Sequence, residues 1–336
     1  MPSDLIPRAR LEQLLAAARG KHVVVVGDAM LDVYLRGDVE RISPEAPVPV
    51  VRVKERKYAL GGAANVAENV VSAGARVDLV AAIGDDEPGK KIREMMRGVG
   101  ADSGGLVSTD RPTTTKSRVV ARAQQLLRFD EERDDDLGAS DLAKVQAAAL
   151  KVIAHADALV LEDYNKGVLV ESLIKSVIAA ARARKIPIVV DPKYKNFFAY
   201  AGATVFKPNR RELESALGAA IDVDHPETLP AMVEKLGAES LLLTLSERGM
   251  ALIEKGAKGA KGVHCIPTTA REVYDVVGAG DTVTAYLAAM LAAGATRLEA
   301  AIVANFAAGV EVGKSGAATV TPVEILDAFD AHKART

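Results

Sequence analysis

Tryptophan is absent from this chain of 336 residues, aromatic residues make up 4%, and there are one cysteine, Cys265, and five histidines. Each scarcity closes a possibility. A lone cysteine forms no internal disulfide and builds no cysteine-rich zinc site, and it fits a reducing cytoplasm. His22, His155, His225, His264 and His332 are scattered, so the spacing of a histidine metal site is missing. Neither charge sign prevails: 43 Lys and Arg against 45 Asp and Glu leave a net charge of −2, which argues against a nucleic-acid partner. No basic-then-apolar signal segment opens the chain and no apolar run reaches bilayer length, so no membrane partner is expected and the expected location is cytoplasmic. With so few rings, the core has to be built from Val, Leu, Ile and Ala.

What is present is a regular alternation. His22 is followed by Val23-Val24-Val25-Val26, a β-branched run of the kind buried on both faces of a parallel sheet. Further strand-like runs fall at 77–83, 158–161, 187–190, 204–206 and 241–245. Helical spacing falls at 5–19, 64–73, 89–99, 140–154, 169–185, 210–217, 226–236, 282–293, 298–312 and 322–333. Strands alternating with helices imply an α/β fold, a mostly parallel central sheet with helices on both faces. Two stretches differ. In 34–58, apolar residues alternate with polar ones and Pro44, Pro47 and Pro49 interrupt; 111–132 alternates similarly. Both read as edge strands of a small β-sheet lid outside the core. The glycine-rich repeat 256–262 reads as a hairpin tip. No linker divides the core, so 1–336 is expected to be one domain, with the lid formed by about 34–58 and 111–132.

Chemistry-bearing residues follow the strands, where ligands bind in open α/β sheets. Asp32 comes just after the first strand, as a turn residue or a hydroxyl binder. Gly61-Gly62 reads as a backbone loop before a helix carrying Asn65. Asp163 and Lys166 follow the run 158–161, Lys207, Asn209 and Glu212 follow 204–206, and Thr244, Ser246 and Gly249 follow 241–245. The octet Asp275-Val276-Val277-Gly278-Ala279-Gly280-Asp281-Thr282 reads as a glycine turn opening a buried helix. Such a turn leaves room for an anion and aims backbone N–H groups at it. Asp281 is then a helix-start charge or a general base beside a phosphate site. Two look-alikes fail. Val283 stands where a dinucleotide-binding loop has its third glycine, and Ala308 stands where a P-loop ending in Gly313-Lys314-Ser315 needs glycine.

The octet, together with Gly61-Gly62-Ala63-Ala64-Asn65-Val66-Ala67 and Ile83-Gly84-Asp85-Asp86, resembles the signatures of the ribokinase-type (PfkB) sugar kinases, and the resemblance covers almost the whole chain. It implies a ribokinase-like fold and ATP-dependent phosphoryl transfer. It implies Asp281 as base, and Gly278, Ala279 and Gly280 as an anion hole. Asp32, Gly61, Gly62, Asn65 and Asp163 would hold the sugar. Lys207, Asn209, Thr244, Ser246, Gly249, Gly280 and Asn305 would hold ATP, with Ser246 replacing the usual glycine of that loop. Asn209 and Glu212 would organise Mg²⁺, largely through water, and Asp275 with the Val277 carbonyl would hold a monovalent cation such as K⁺.

Three segments narrow the substrate. Arg41 to Val50, Gln124 to Asp130 and Asp163 to Gly167 resemble the bacterial heptose-7-phosphate kinases of lipopolysaccharide-core synthesis, which act on C1 of D-glycero-D-manno-heptose 7-phosphate. The lid carries Lys116, Arg118, Arg122 and Arg128, more positive charge than a neutral sugar requires, and Arg122, Arg128 and Lys166 are expected to hold the 7-phosphate. Some relatives carry a fused nucleotidyltransferase domain; the end at Thr336 implies a separate protein for that step. The alternating apolar residues of the lid imply a lid-to-lid homodimer. Other readings are a kinase of the same family acting on ribose, a fructose phosphate or a nucleoside, and a non-catalytic sugar-phosphate sensor, against which Asp281 argues.

Overall fold

The computed structural model of the chain describes residues 6–122, 124–225, 229–258, 261–270 and 273–334. The first half runs α1 (Arg8–Ala17), β1 (His22–Gly27), β2 (Ala29–Ile42), β3 (Pro49–Gly62), α2 (Ala63–Ser72), β4 (Arg76–Gly84), α3 (Glu87–Gly98), β5 (Leu106–Thr109), β6 (Thr115–Ala121), β7 (Gln124–Glu131) and α4 (Ala139–Ile153). It continues with β8 (Ala158–Glu162), α5 (Glu171–Ala183), β9 (Ile188–Asp191), β10 (Val205–Phe206), α6 (Arg210–Leu217), α7 (Pro230–Leu236) and β11 (Ser240–Thr244). The last third holds β12 (Met250–Lys258), β13 (Lys261–Ile266), α8 (Ala279–Ala292), α9 (Arg297–Glu311) and α10 (Pro322–Lys333). The expected helix residues Leu5, Pro226, Glu227 and Thr228, the expected lid residue Ala123 and the expected hairpin-tip residues Gly259 and Ala260 lie outside the described residues.

The valine run sits at the centre. Val23, Val24, Val25 and Val26 are completely buried, and β1 pairs in parallel with β4 on one side and β8 on the other. The main sheet has the order β13-β12-β11-β10-β9-β8-β1-β4-β5, and its pairs are parallel except the two made by β12. Side chains alternate between faces along each strand. Val23 and Val25 therefore belong to one core cluster with α1, α2, α3, α8, α9 and α10, whereas Val24 and Val26 belong to another with α4, α5, α6 and α7. Burying one such side chain contributes roughly 1.5–3 kcal/mol. α8 is enclosed: every residue from Asp281 to Met290 is buried, as expected for a helix that is apolar all round.

The second sheet has the order β3-β2-β6-β7. Its hairpin β2–β3 is longer than the sequence pattern indicated, with fourteen residues in each strand and register shifts at Arg36/Gly37 and Val39/Arg41. Pro44 and Pro47 fall in the connection between the strands and Pro49 opens β3, which is where proline is tolerated. Two expectations change here. Asp32 is inside β2 rather than in a turn, and Gly61 and Gly62 end β3 rather than forming a loop. Gly62 must be glycine: at φ 55 and ψ −133, a Cβ would lie 2.4 Å from the Asp28 carbonyl oxygen. No helix among the described residues is long and apolar enough to cross a membrane.

Candidate active site

The carboxyl ends of four adjacent strands form one rung. Gly27 is in register with Glu162, and Glu162 with Asp191; the Lys207 amide donates to the Val190 carbonyl at 2.8 Å. Glu162, Asp191 and Lys207 follow Val160, Val189 and Val205 by two residues, so they share the face that packs against α8. All three are buried, and the Lys207 ammonium donates to Asp191 Oδ2 at 2.7 Å. Neither Glu162 oxygen has a hydrogen-bond partner. Burial, then Asp191 and Asp281, push its carboxyl well above the carboxylate range.

Above this rung the chain turns into α8. Gly278 caps the helix at φ 101, in the left-handed region, and a Cβ there would lie 3.2 Å from both Asn65 Nδ2 and Glu311 Oε1. Ala279, Gly280 and Asp281 supply the first helical amides, whose N–H groups have no partner within the helix. A Cβ on Gly280 would stand 3.9 Å from the Lys207 ammonium, so this cation lies directly under the turn. Asp281 is 5% exposed and is held at both oxygens: Asn65 Nδ2 donates to Oδ2 at 2.7 Å, and the Tyr164 hydroxyl donates to Oδ1 at 2.9 Å. Asn65 is itself bound by Asn69 at 3.1 Å. Burial pushes the Asp281 carboxyl up to about 6, against the pull of the Asn65 and Tyr164 bonds.

Beside Gly280 opens a cavity of about 470 Å³ that brings together Asn209, Thr244, Ser246, Gly249 and Asn305. Lys207 is not in its wall but beneath it. Ser246 adopts φ 54, the backbone state that explains why related loops carry glycine there. Gly249 tolerates no substitute, since a Cβ would fall 2.1 Å from the Ile266 carbonyl oxygen. Asn209 and Glu212 close a reciprocal capping box on α6, with Glu212 N donating to Asn209 Oδ1 at 2.9 Å and Asn209 N donating to Glu212 Oε2 at 2.8 Å. The other Glu212 oxygen meets the Lys193 ammonium. Burial opposes the charge of Lys193, but Asp191 and Glu212 outweigh it and hold the ammonium above its ordinary range. Asp275 bridges two loops, accepting from Val277 N at 3.1 Å and Gly316 N at 3.0 Å. Nearby Glu311 is fully buried with neither oxygen in a well-formed hydrogen bond. Its carboxyl is pushed up to about 8 by burial, then by Asp275 and Asp281, against the Ala318 amide.

On the other side of Asp281, Asp32 is buried and accepts from Arg118 Nη1 at 2.6 Å. The guanidinium lies 5.2 Å over the Tyr34 ring. Bare Gly61 keeps the space beside Asp32 open, because a Cβ would sit 3.0 Å from Asp32 Oδ2. Arg128 binds Asp130 through Nε at 2.9 Å and Nη2 at 2.6 Å, and Lys166 binds Glu132 at 2.8 Å.

Two expected site residues stand elsewhere. Asp163 follows Glu162 by one residue and so faces away from α8; it accepts from Asn165 N at 2.7 Å and from the Tyr200 hydroxyl at 2.7 Å. It braces its own loop instead of facing Asp281. Arg122 stands past the end of β6 at φ 56. Lys116 is in register with Asp32 and Ala121 with Gly37, five positions on, which is roughly 17 Å at about 3.3 Å per residue. Arg122, one residue beyond Ala121, therefore lies far along β6 from the Asp32 rung, four positions past Arg118, the register partner of Arg128. Conversely, Tyr164, Asp191, Lys193, Glu162 and Glu311 belong to the site and were not singled out from sequence. The signal for Asp191 and Lys193 was present: they follow an apolar strand, as Asp163 does.

This geometry sets a buried carboxylate with a raised pKa beside a helix start and a buried cation, an arrangement able to exchange a proton and to meet an anion. Residues 20–324 match the pattern of the pfkB family carbohydrate kinases, and the chain belongs to that family. It is 45% identical over 325 residues to the "Bifunctional protein HldE" of Pelobacter propionicus, covering 96% of this chain and 66% of that protein. With the protein of the same name from Geobacter metallireducens the identity is 44% over 324 residues, covering 95% and 65%. The chain thus spans about two thirds of the length of these relatives. Among solved structures, it resembles Arabidopsis thaliana ribokinase complexed with ribose and ATP, with a TM-score of 0.72 and 21% identity over 92% of this chain and 99% of that one. Escherichia coli phosphofructokinase-2 in its tetrameric inhibited form gives a TM-score of 0.76 at 16% identity, covering 94% and 99%. At these identities the two structures establish the ribokinase-like fold.

The loop that carries Tyr164 is tied down by one buried group. Asp28 accepts from the amides of Tyr164 at 2.8 Å, Lys166 at 3.0 Å and Val168 at 3.2 Å. Leaving a buried donor unmet costs about 1–3 kcal/mol. Asp28→Ala is expected to lower stability by about 3 kcal/mol and to speed hydrogen exchange at those three amides ahead of the rest of the sheet; unchanged exchange there would rule Asp28 out as the tether.

Proposed function

We propose that this protein is an ATP-dependent kinase that phosphorylates C1 of D-glycero-D-manno-heptose 7-phosphate to the 1,7-bisphosphate, in ADP-heptose and lipopolysaccharide-core synthesis. The observation that carries the kinase chemistry is Asp281, buried at the start of α8 with the helix-start amides beside it and Lys207 beneath. Asp281 takes the proton of the acceptor hydroxyl as its oxygen attacks the γ-phosphorus, and ADP leaves. The amides of Ala279, Gly280 and Asp281 meet the charge on the transferred group, a role such preorganised donors fill at little reorganisation cost. ATP suits the cavity beside Gly280, and the ribokinase of similar fold holds ribose and ATP.

Mg²⁺ fits near Asn209 and Glu212 as a hydrated ion. Both side chains are already engaged in the capping box, so their remaining lone pairs are suited to metal-bound waters rather than to the ion itself. When bound, it would neutralise phosphate charge. A monovalent cation such as K⁺ would sit near Asp275 and the Val277 carbonyl, beside the Glu311 carboxyl, whose oxygens are buried without a well-formed hydrogen bond and whose ionised form such a cation would favour. We take residues 1–336 as one catalytic domain with the second sheet as its lid, working in the cytoplasm.

Heptose 7-phosphate is favoured by the segments around Arg41, Gln124 and Asp163 and by the cations beside Asp32. Asp32, Gly61, Gly62 and Asn65 would meet the sugar, while Arg128 exchanges Asp130 for the phosphate, aided by Lys166 and Arg118. A charge-assisted contact of this kind contributes about 1.5–3 kcal/mol, or roughly a ten- to hundredfold change in KM. A coupled assay with ATP should give turnover on heptose 7-phosphate and little on fructose 6-phosphate. Arg128→Ala should raise KM ten- to hundredfold for heptose 7-phosphate while sparing unphosphorylated heptose, and Arg122→Ala should change neither. Equal losses on both sugars would mean that the phosphate is read elsewhere. Asp281→Asn should lower kcat by about 10²–10⁴-fold with ATP affinity kept; near-normal turnover would remove Asp281 from the mechanism.

The homodimer expected through the lid remains part of this reading. β7 is exposed along its whole length, with Leu127 56% and Phe129 42% exposed on one side of it. Such an apolar edge is suited to a second copy. Light scattering at micromolar concentration should give twice the chain mass, and a monomer mass would contradict the lid interface.

A further inference from the structure

We infer that Tyr164 is a positioning residue for Asp281, its hydroxyl holding the base in one orientation and in its ionised form while the acceptor hydroxyl approaches the remaining lone pairs. The inference rests on the reading of Asp281 as the base. Its ground is geometric. The Tyr164 hydroxyl donates to Asp281 Oδ1 at 2.9 Å, opposite the Asn65 amide on Oδ2 at 2.7 Å, so the carboxylate plane is fixed from two sides. The tyrosine is itself held. The Asp28 carboxylate receives its backbone amide at 2.8 Å, and the Lys193 ammonium lies 5.1 Å over its ring. A cation over the ring face is attracted to it and fixes the ring's place, and burial, then Asp281, hold the phenol well above its ordinary range, so the hydroxyl keeps its proton and donates. A chain that needed Tyr164 for packing alone would not need the hydroxyl, and the hydroxyl bonds to the one carboxylate at the helix start.

The charged and titratable groups facing Asp281 come from every neighbouring strand and from α9. They are Glu162 on β8, Asp191 on β9, Lys207 following β10, and Glu311 at the end of α9. The carboxylates among them oppose ionisation of Asp281, and Lys207 with the two hydrogen bonds favours it. Burial already pushes the Asp281 carboxyl up to about 6. A bond to the ionised form lowers a carboxyl pKa, so losing the Tyr164 bond moves Asp281 further up. The acid limb of kcat/KM, where the base becomes protonated as pH falls, moves with it to higher pH.

The test is Tyr164→Phe, which keeps the ring and removes the hydroxyl. Two readouts are taken: the Asp281 carboxyl titrated by carbon NMR, assigned against Asp281→Asn, and the pH profile of kcat/KM with ATP and heptose 7-phosphate. The NMR titration needs no substrate, so it stands even if the sugar is another one. The expected results are an upward move of about one pH unit in both readouts, a kcat lower by roughly ten- to a hundredfold, and an unchanged KM for ATP. Asn65→Leu, which removes the opposite donor, should move the titration in the same direction. A folded Tyr164→Phe protein whose Asp281 titrates as in the wild type overturns the inference. So does a lower sugar KM with no shift, because the hydroxyl would then merely occupy the acceptor's place. An active Asp281→Asn would instead overturn the base assignment, which keeps the two failures apart.

Discussion

The buried ion pair between Lys207 and Asp191 is the contact on which the rest of the site depends. Removing both charges from water costs several kcal/mol per ion, recovered only with close geometry and further polar partners. The 2.7 Å contact supplies the geometry, and the start of α8 supplies a reason for the cation to be there. Glu162, Asp191 and Asp281 all approach the same dry volume. Lys207 offsets one of the three, and the raised pKa of Glu162 removes the charge of another. Asp281 is thereby left as the carboxylate whose charge is open to change near neutrality. A carboxylate poised in that way is suited to accept a proton and release it again.

The arrangement follows from strand periodicity more than from any loop. Residues two positions past Val160, Val189 and Val205 have to face α8, and they are Glu162, Asp191 and Lys207. The helix above them is apolar on every side, so its start is anchored by packing rather than by a flexible connection. Positive φ at Gly278 turns the chain sharply enough for the first amides to stand clear of side chains. The floor is thus fixed by the sheet and the roof by the core.

Much of the fold is legible in the residues. The valine run marks the central strand by composition alone. α6 and α10 start where their caps say they should, at Asn209 with Glu212 and at Thr321 with Glu324, and Gly218 ends α6 in the left-handed state. Boundaries blur where a cap is silent, as at α5, whose N-cap Val170 makes no side-chain bond. Asp32 was harder to place because a two-stranded ribbon continues almost directly from β1, and only Asp28 separates β1 from β2. The site was less legible because facing is set by a single residue of register. Asp163 and Tyr164 are neighbours in sequence, yet one turns to Tyr200 and the other to Asp281. Ion pairing hid the lid in the same way: Arg118, Arg128 and Lys166 look alike as basic residues, and their carboxylate partners, Asp32 on β2, Asp130 on β7 and Glu132 just past β7, appear only in the fold.

The hydrogen bond from Asn65 to Asp281 joins residues 216 apart in sequence, and the one from Tyr164 spans 117. On the ribosome, at about 5–20 residues per second, Asn65 is made roughly 10 to 40 s before Asp281. Over the last third of that interval Glu162, Asp191 and Lys207 all exist in the nascent chain without the helix that encloses them. Water and ions can solvate the cluster until α8 docks. The burial that raises the Asp281 carboxyl is therefore among the last events of synthesis, and a polypeptide interrupted before residue 279 would retain all of its described strands but lack the helix that carries Asp281.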